Sequence, residues 1–144
     1  MVTLSQSTVL EILRDACRAP SGDNTQPWRF EVRGNTIRII NESDKDTSLF
    51  NWRQVTNHVA LGACIENLRI SSENRGFDVA LKFFPDTQNS LTVTEAVLIP
   101  NATHQNELAS YIAKRATNRK RYHDQQIEPE KLMELSDLAR CVGG

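Results

Sequence analysis

The stretch that most narrows what this chain can fold into is Ala19-Pro20-Ser21-Gly22-Asp23-Asn24-Thr25-Gln26-Pro27-Trp28-Arg29-Phe30. Pro20 ends any helix before it, because its ring removes a backbone donor and pushes Ala19 out of the helical region. Gly22 admits backbone geometry closed to other residues, and Asp23 and Asn24 tolerate tight turns. Pro27 stiffens the exit, and Trp28 opens an apolar, aromatic run. A helix, a sharp turn and a strand must therefore follow one another here. The turn is also dense in polar groups: Ser21, Asn24, Thr25 and Gln26 offer neutral hydrogen-bonding side chains suited to a planar or hydroxyl-rich ligand. A capped helix end leading into a strand would by itself account for Pro20, Gly22 and Asn24, so a ligand needs support from elsewhere in the chain.

The flanking periodicities supply the rest of the fold. A helix is expected over about 9–18, with Thr8 and Glu11 at capping-box spacing and Leu10, Leu13 and Cys17 on its apolar face. Trp28, Phe30 and Val32 alternate with Arg29, Glu31 and Arg33, the period of a half-buried strand. Gly34-Asn35 is a two-residue hairpin signal, and Thr36 to Ile40 returns as a β-branched strand. Residues 42–51 are polar and predict a surface loop. A long helix over about 55–74 follows, with Gly76 expected at C′. Its apolar surface, including Val59, Leu61, Ile65 and Leu68, is wide enough to be buried between layers or against another subunit or repeat. Asn57, His58, Glu66 and Asn67 interrupt it and are expected to be partly exposed.

Two further strands are predicted over about 79–84 and 91–99, the second apolar enough for an interior position. A helix over about 101–114 should turn Leu108, Tyr111 and Ile112 inward. A basic segment, residues 114–122, precedes a last helix that Pro129 opens and Leu132, Leu135 and Leu138 mark. Helices and hairpins are grouped rather than alternating, which favours an α+β layered fold over a parallel doubly wound one.

Bulk properties exclude several classes of function. A length of 144 residues suits one domain, and a net charge of −1 gives no electrostatic case for nucleic acid or an anionic membrane as partner. No apolar run is long enough to span a bilayer, and the N-terminus lacks a signal-peptide pattern, so the cytoplasm is the default location. Cys17, Cys64 and Cys141 form no zinc pattern, and the first two are expected to be small core residues. His58, His104 and His123 are scattered, so no metal site is expected. Phosphate-loop, G-x-S-x-G and H-E-x-x-H motifs are absent, which leaves no identifiable catalytic residue. Any chemistry would then come from a cofactor. Arg115, Thr117 and Arg119 are the second candidate site, because two guanidiniums and a hydroxyl at alternate positions suit a phosphate group. Such runs are also common as solvated surface.

The turn Ala19–Phe30 closely resembles that of the nitroreductase family of flavin-dependent oxidoreductases. The helix from Val59-Ala60-Leu61-Gly62-Ala63-Cys64-Ile65-Glu66-Asn67-Leu68 through Gly76 looks like that family's central helix. Arg115-Ala116-Thr117-Asn118-Arg119-Lys120-Arg121-Tyr122, followed by Ile127-Glu128-Pro129, resembles the stretch that opens a nitroreductase domain. The resemblance implies an antiparallel sheet flanked by helices around a long buried central helix, and an FMN cofactor reduced by NAD(P)H. Pro20, Ser21, Gly22, Asn24 and Gln26 would meet the flavin ring, and Arg115, Thr117 and Arg119 would hold its phosphate and ribityl chain. The acceptor would be a small molecule such as a nitroaromatic or quinone.

The order of motifs departs from a single nitroreductase domain, in which the basic opening precedes the Pro-Ser turn. It is similar instead to duplicated Acg-type proteins and to nitroreductase segments fused to ThiF-like domains. In that arrangement residues 1–113 are a first repeat without its own basic opening, and residues 114–144 begin a second repeat. An incomplete domain is the expectation, either forming a homodimer or docking with a missing second repeat. The alternative function is a catalytically inactive nitroreductase-like module that binds or sequesters flavin or mediates protein interaction. A plain structural α+β domain is the third reading.

Overall fold

The computed structural model of the chain describes residues 4–86, 91–101 and 106–143. Helix α1 spans Gln6–Ala16, and its N-cap is Ser5, whose hydroxyl accepts from the Thr8 amide at 3.0 Å. The predicted capping box on Thr8 and Glu11 is thus displaced by a serine three residues upstream that satisfies the first free amides. The register of the helix also corrects its buried face. Val9, Ile12 and Ala16 are buried, Leu13 and Cys17 are packed at the margin, and Leu10 is exposed.

Strands β1 (Trp28–Arg33) and β2 (Thr36–Asn41) form the predicted hairpin, with Gly34 at φ +60° in its turn and Phe30 paired to Ile39. Helix α2 (Val55–Glu73) is the longest element. Its C-cap is Asn74, so Gly76 lies at C″ rather than C′, and there its φ of +81° turns the chain into β3 (Phe77–Phe83). Strand β4 (Thr92–Pro100) returns between β2 and β3. The sheet is antiparallel throughout in the order β1-β2-β4-β3, so the most continuously apolar strand is indeed interior.

One face of this sheet carries Ile37, Ile39, Ala96 and Leu98 against Ile12 of α1 and Leu61, Cys64, Ile65 and Leu68 of α2. That face is the core. The opposite face carries a charge row in strand register: Glu31 opposite Arg38, Arg38 opposite Glu95, and Glu95 opposite Lys82. Alternating signs directly across neighbouring strands are favourable, and Arg38 pairs with Glu95 at 2.6 Å.

The helix predicted over 101–114 is reduced, among the described residues, to the single turn α3 (Ala109–Ile112); residues 102–105 lie outside them. Of its predicted inward residues only Ile112 is buried, while Leu108 and Tyr111 are exposed, because one turn at the rim of the fold presents one side chain to the core. Helix α4 (Pro129–Gly143) begins at Pro129 as expected. Every residue from Ala113 to Cys141 is exposed, including Leu132, Leu135 and Leu138. Among the described residues, no helix is long and apolar enough to cross a membrane.

Candidate functional site

The Pro-Ser turn leaves α1 at Cys17 and enters β1 at Trp28, and its backbone is unusual. Asp23, Asn24 and Gln26 all have positive φ, at 46°, 59° and 48°. Gly22, which the sequence marks for that geometry, does not have it. Its value lies in close approach instead: a Cβ there would stand 3.0 Å from Thr56 Cγ2 and 3.3 Å from Asp46 Oδ2. The turn is closed from within by the Gln26 amide, which donates to Ser21 Oγ at 3.0 Å.

Next to Asp46 and Thr56 lies a network of amide side chains, most of them buried, that sequence reasoning missed. Asn57 is fully buried, not partly exposed as expected. Its Nδ2 donates to Gln54 Oε1 at 2.9 Å and to Asn41 Oδ1 at 3.2 Å, and its own amide donates to Asn51 Oδ1 at 3.1 Å. Asn51 Nδ2 in turn donates to the Asp46 carbonyl at 2.8 Å. The predicted surface loop therefore has Asp46 and Asn51 in the interior, since amides that satisfy one another can be buried at little cost. His58 and Glu66 are exposed, and Asn67 donates to the Asp15 carbonyl at 3.3 Å.

Beside the turn lies a cavity of about 500 Å³. Pro20, Ser21 and Asn24 line one side, and Arg115, Thr117 and Arg119 line the other. The two stretches singled out in the sequence thus face one another within one chain. Gly22 and Gln26 are not part of the lining; the first packs against the body and the second closes the turn. Thr25 does not line it either, and its hydroxyl is buried without a hydrogen-bond partner. Cys17, Arg18, Ala19, Asp23, Ile112 and Ala113 also line the cavity. Arg18 and Asp23 were not anticipated; their nearness to the turn was visible, but which way they face depends on the turn's backbone.

The wall carries three guanidiniums and one carboxylate, that of Asp23. Arg18 touches Asp15 only at 4.0 Å, and Asp15 is already paired with Arg75 at 3.1 Å. Such a donor set suits an anion with adjacent hydroxyl or imide groups. Behind the wall, burial, reinforced by nearby Cys17, pushes the Cys64 thiol far above the ordinary thiol range, so it stays protonated at neutral pH. Among the described residues no cluster of histidine, cysteine and carboxylate side chains could hold a metal.

No family model matches the chain. It is similar to proteins of Mycobacterium tuberculosis. One, named "Putative NAD(P)H nitroreductase Rv3131", is 26% identical over 117 residues, 80% of this chain and 34% of that protein. Another, named "Putative NAD(P)H nitroreductase acg", is 30% identical over 82 residues, 53% of this chain and 23% of that protein. The chain spans about a third or less of the length of the curated relatives it matches. Its fold matches solved structures at low identity. A "putative nitroreductase in complex with fmn" from Desulfovibrio desulfuricans has a TM-score of 0.59 at 16% identity, covering 88% of each chain. A "Putative NADH Oxidase" from Clostridium acetobutylicum has a TM-score of 0.58 at 13% identity, covering 87% of this chain and 91% of that one.

Proposed function

Because the chain is nitroreductase-like in both sequence and fold, we propose that it is the FMN-binding part of an NAD(P)H-dependent oxidoreductase that reduces a nitroaromatic or quinone-like acceptor. The observation that carries this reading is the cavity joining the Pro-Ser turn to Arg115, Thr117 and Arg119. Its donors fit the cofactor's two ends. The guanidiniums of Arg115 and Arg119 and the Thr117 hydroxyl would hold the phosphate, and Ser21 and Asn24 would meet the polar edge of the ring. Bound FMN would supply the hydride chemistry, which the side chains of this wall cannot perform themselves. The protein's part is to position the ring at a turn braced by buried amides, and to neutralise the phosphate. In this reading residues 114–144 open a second repeat, and a homodimer or the rest of a second repeat completes the site.

A flavin-binding module without turnover is the second reading; among the described residues the wall's titratable side chains are three guanidiniums, one carboxylate and one thiol. Flavin-loaded protein that oxidises NAD(P)H supports the enzyme; loaded protein that does not supports the module. Replacing Arg115 and Arg119 together by alanine should abolish FMN retention through gel filtration. Unchanged flavin content in that variant overturns the assignment of the phosphate end.

A further inference from the structure

We propose that a phosphate group bridges Arg18, on the body of the fold, to Arg115 and Arg119, on the segment that leaves it, so that anion binding fastens this segment in place. The bridge takes FMN as its ligand from the reading above, but its chemistry requires only a phosphomonoester or free phosphate.

Ile112 is the last buried side chain before the exposed run from Ala113 to Cys141. Among the described residues, no side chain from Arg115 to Cys141 forms a hydrogen bond or ion pair with the body; the contacts it makes, such as Arg140 with Asp137, stay within the segment. Yet Arg115, Thr117 and Arg119 face Arg18 and Ser21 across one cavity. The segment lies against the turn without a polar attachment to it.

The charges explain what is missing. Among the described residues, three guanidiniums share the cavity with one carboxylate, that of Asp23, a surplus of two positive charges. Like charges around a common space repel, and this opposes docking while the space holds only water. A phosphomonoester carries roughly −1.5 to −2 charges at neutral pH and offers three acceptor oxygens, which matches that surplus. Each guanidinium presents a planar fork of donors suited to such oxygens. Arg18 has the donors to spare, because its contact with Asp15 is long and uses only Nε. One phosphate held from both sides would turn a repulsive junction into an attractive one. A neutral flavin without phosphate cannot.

Limited tryptic digestion of the full chain reads the attachment directly, since Lys114, Arg115, Arg119, Lys120 and Arg121 are cleavage sites within the exposed segment. FMN and inorganic phosphate, each at saturation, should slow cleavage there by about tenfold or more, and riboflavin should not. Arg18→Ala removes a half-exposed side chain and leaves every site in the segment intact. With an unchanged thermal transition, it should bind FMN about tenfold more weakly and lose the protection even at saturation. Equal protection by riboflavin, full protection in Arg18→Ala, or no protection by either anion overturns the bridge. Protection by phosphate but not FMN supports the bridge and overturns the flavin reading. FMN and riboflavin binding equally well without protection overturns the bridge and the assignment of the phosphate end, and leaves flavin binding at the turn standing.

Discussion

At Gly22 the ligand-facing turn touches the body of the protein most closely, and the contact is a matter of tenths of an ångström. An added methyl would press on Thr56 Cγ2 and Asp46 Oδ2. Gly22→Ala should cost about 1–3 kcal/mol in urea-denaturation stability, the usual range for overpacking. Thr56→Ser in the same chain should recover much of that loss. It removes the obstructing methyl and keeps the hydroxyl that donates to the Phe50 carbonyl at 2.8 Å. Strictly additive effects of the two changes would show that the contact is not what makes glycine necessary. The sequence pointed to the right residue with the wrong reason. A glycine beside Asp and Asn signals a tight turn, but the strain sits on Asp23, Asn24 and Gln26. Backbone angles depend on what the turn must pack against, and that lies in another part of the chain.

Among elements, α2 and the residues that precede it matter most to the site. The helix was legible from its length and apolar content, and the hairpin from its alternation and Gly34-Asn35. The burial of Asn57 was not, because an amide on a wide apolar helix is equally compatible with solvent and with a partner. Those partners, Asn41, Asn51 and Gln54, come from β2 and from the loop between β2 and α2. Asn57→Ala should destabilise the protein by about 2 kcal/mol in chemical denaturation, since it strands buried acceptors rather than merely removing a bond. An effect under about 0.5 kcal/mol would mean the amides are solvated in solution. The short α3 shows the reverse case. Leu108, Tyr111 and Ile112 have helical spacing, yet only Ile112 finds the core.

Over the whole molecule, an apolar surface is left uncovered beside the long helix, whose wide apolar face was expected to be buried between layers or against another subunit or repeat. Val59 of α2 is 71% exposed, and Leu49, Phe50 and Trp52 of the preceding loop are exposed by 96%, 89% and 68%. Apolar residues in such number on one stretch favour association. Sedimentation velocity should therefore show concentration-dependent self-association, and Val59→Asp should abolish it without altering the circular dichroism spectrum. A monodisperse monomer at all concentrations would count against the homodimer. The same scale governs the cavity, whose two walls are separated by most of the chain and meet because Ile112 anchors the exit of the fold beside the end of α1.

By itself the sequence determined the element order, the hairpin register and the two polar stretches, because those follow from spacing and from residues such as Pro20, Pro129 and Gly34 acting on their own neighbours. The turn at Pro20 to Trp28 and the basic residues around Arg115 were both visible there as separate features. That the two should flank one site was an expectation of the resemblance alone; the tertiary structure sets them around one cavity, and only it decided that Arg18 and Asp23 join them and that Gly22 and Gln26 support the turn from behind. Spacing along the chain sets local conformation. Which side chains share a space is set by how the sheet and helices pack, and that is a non-local result.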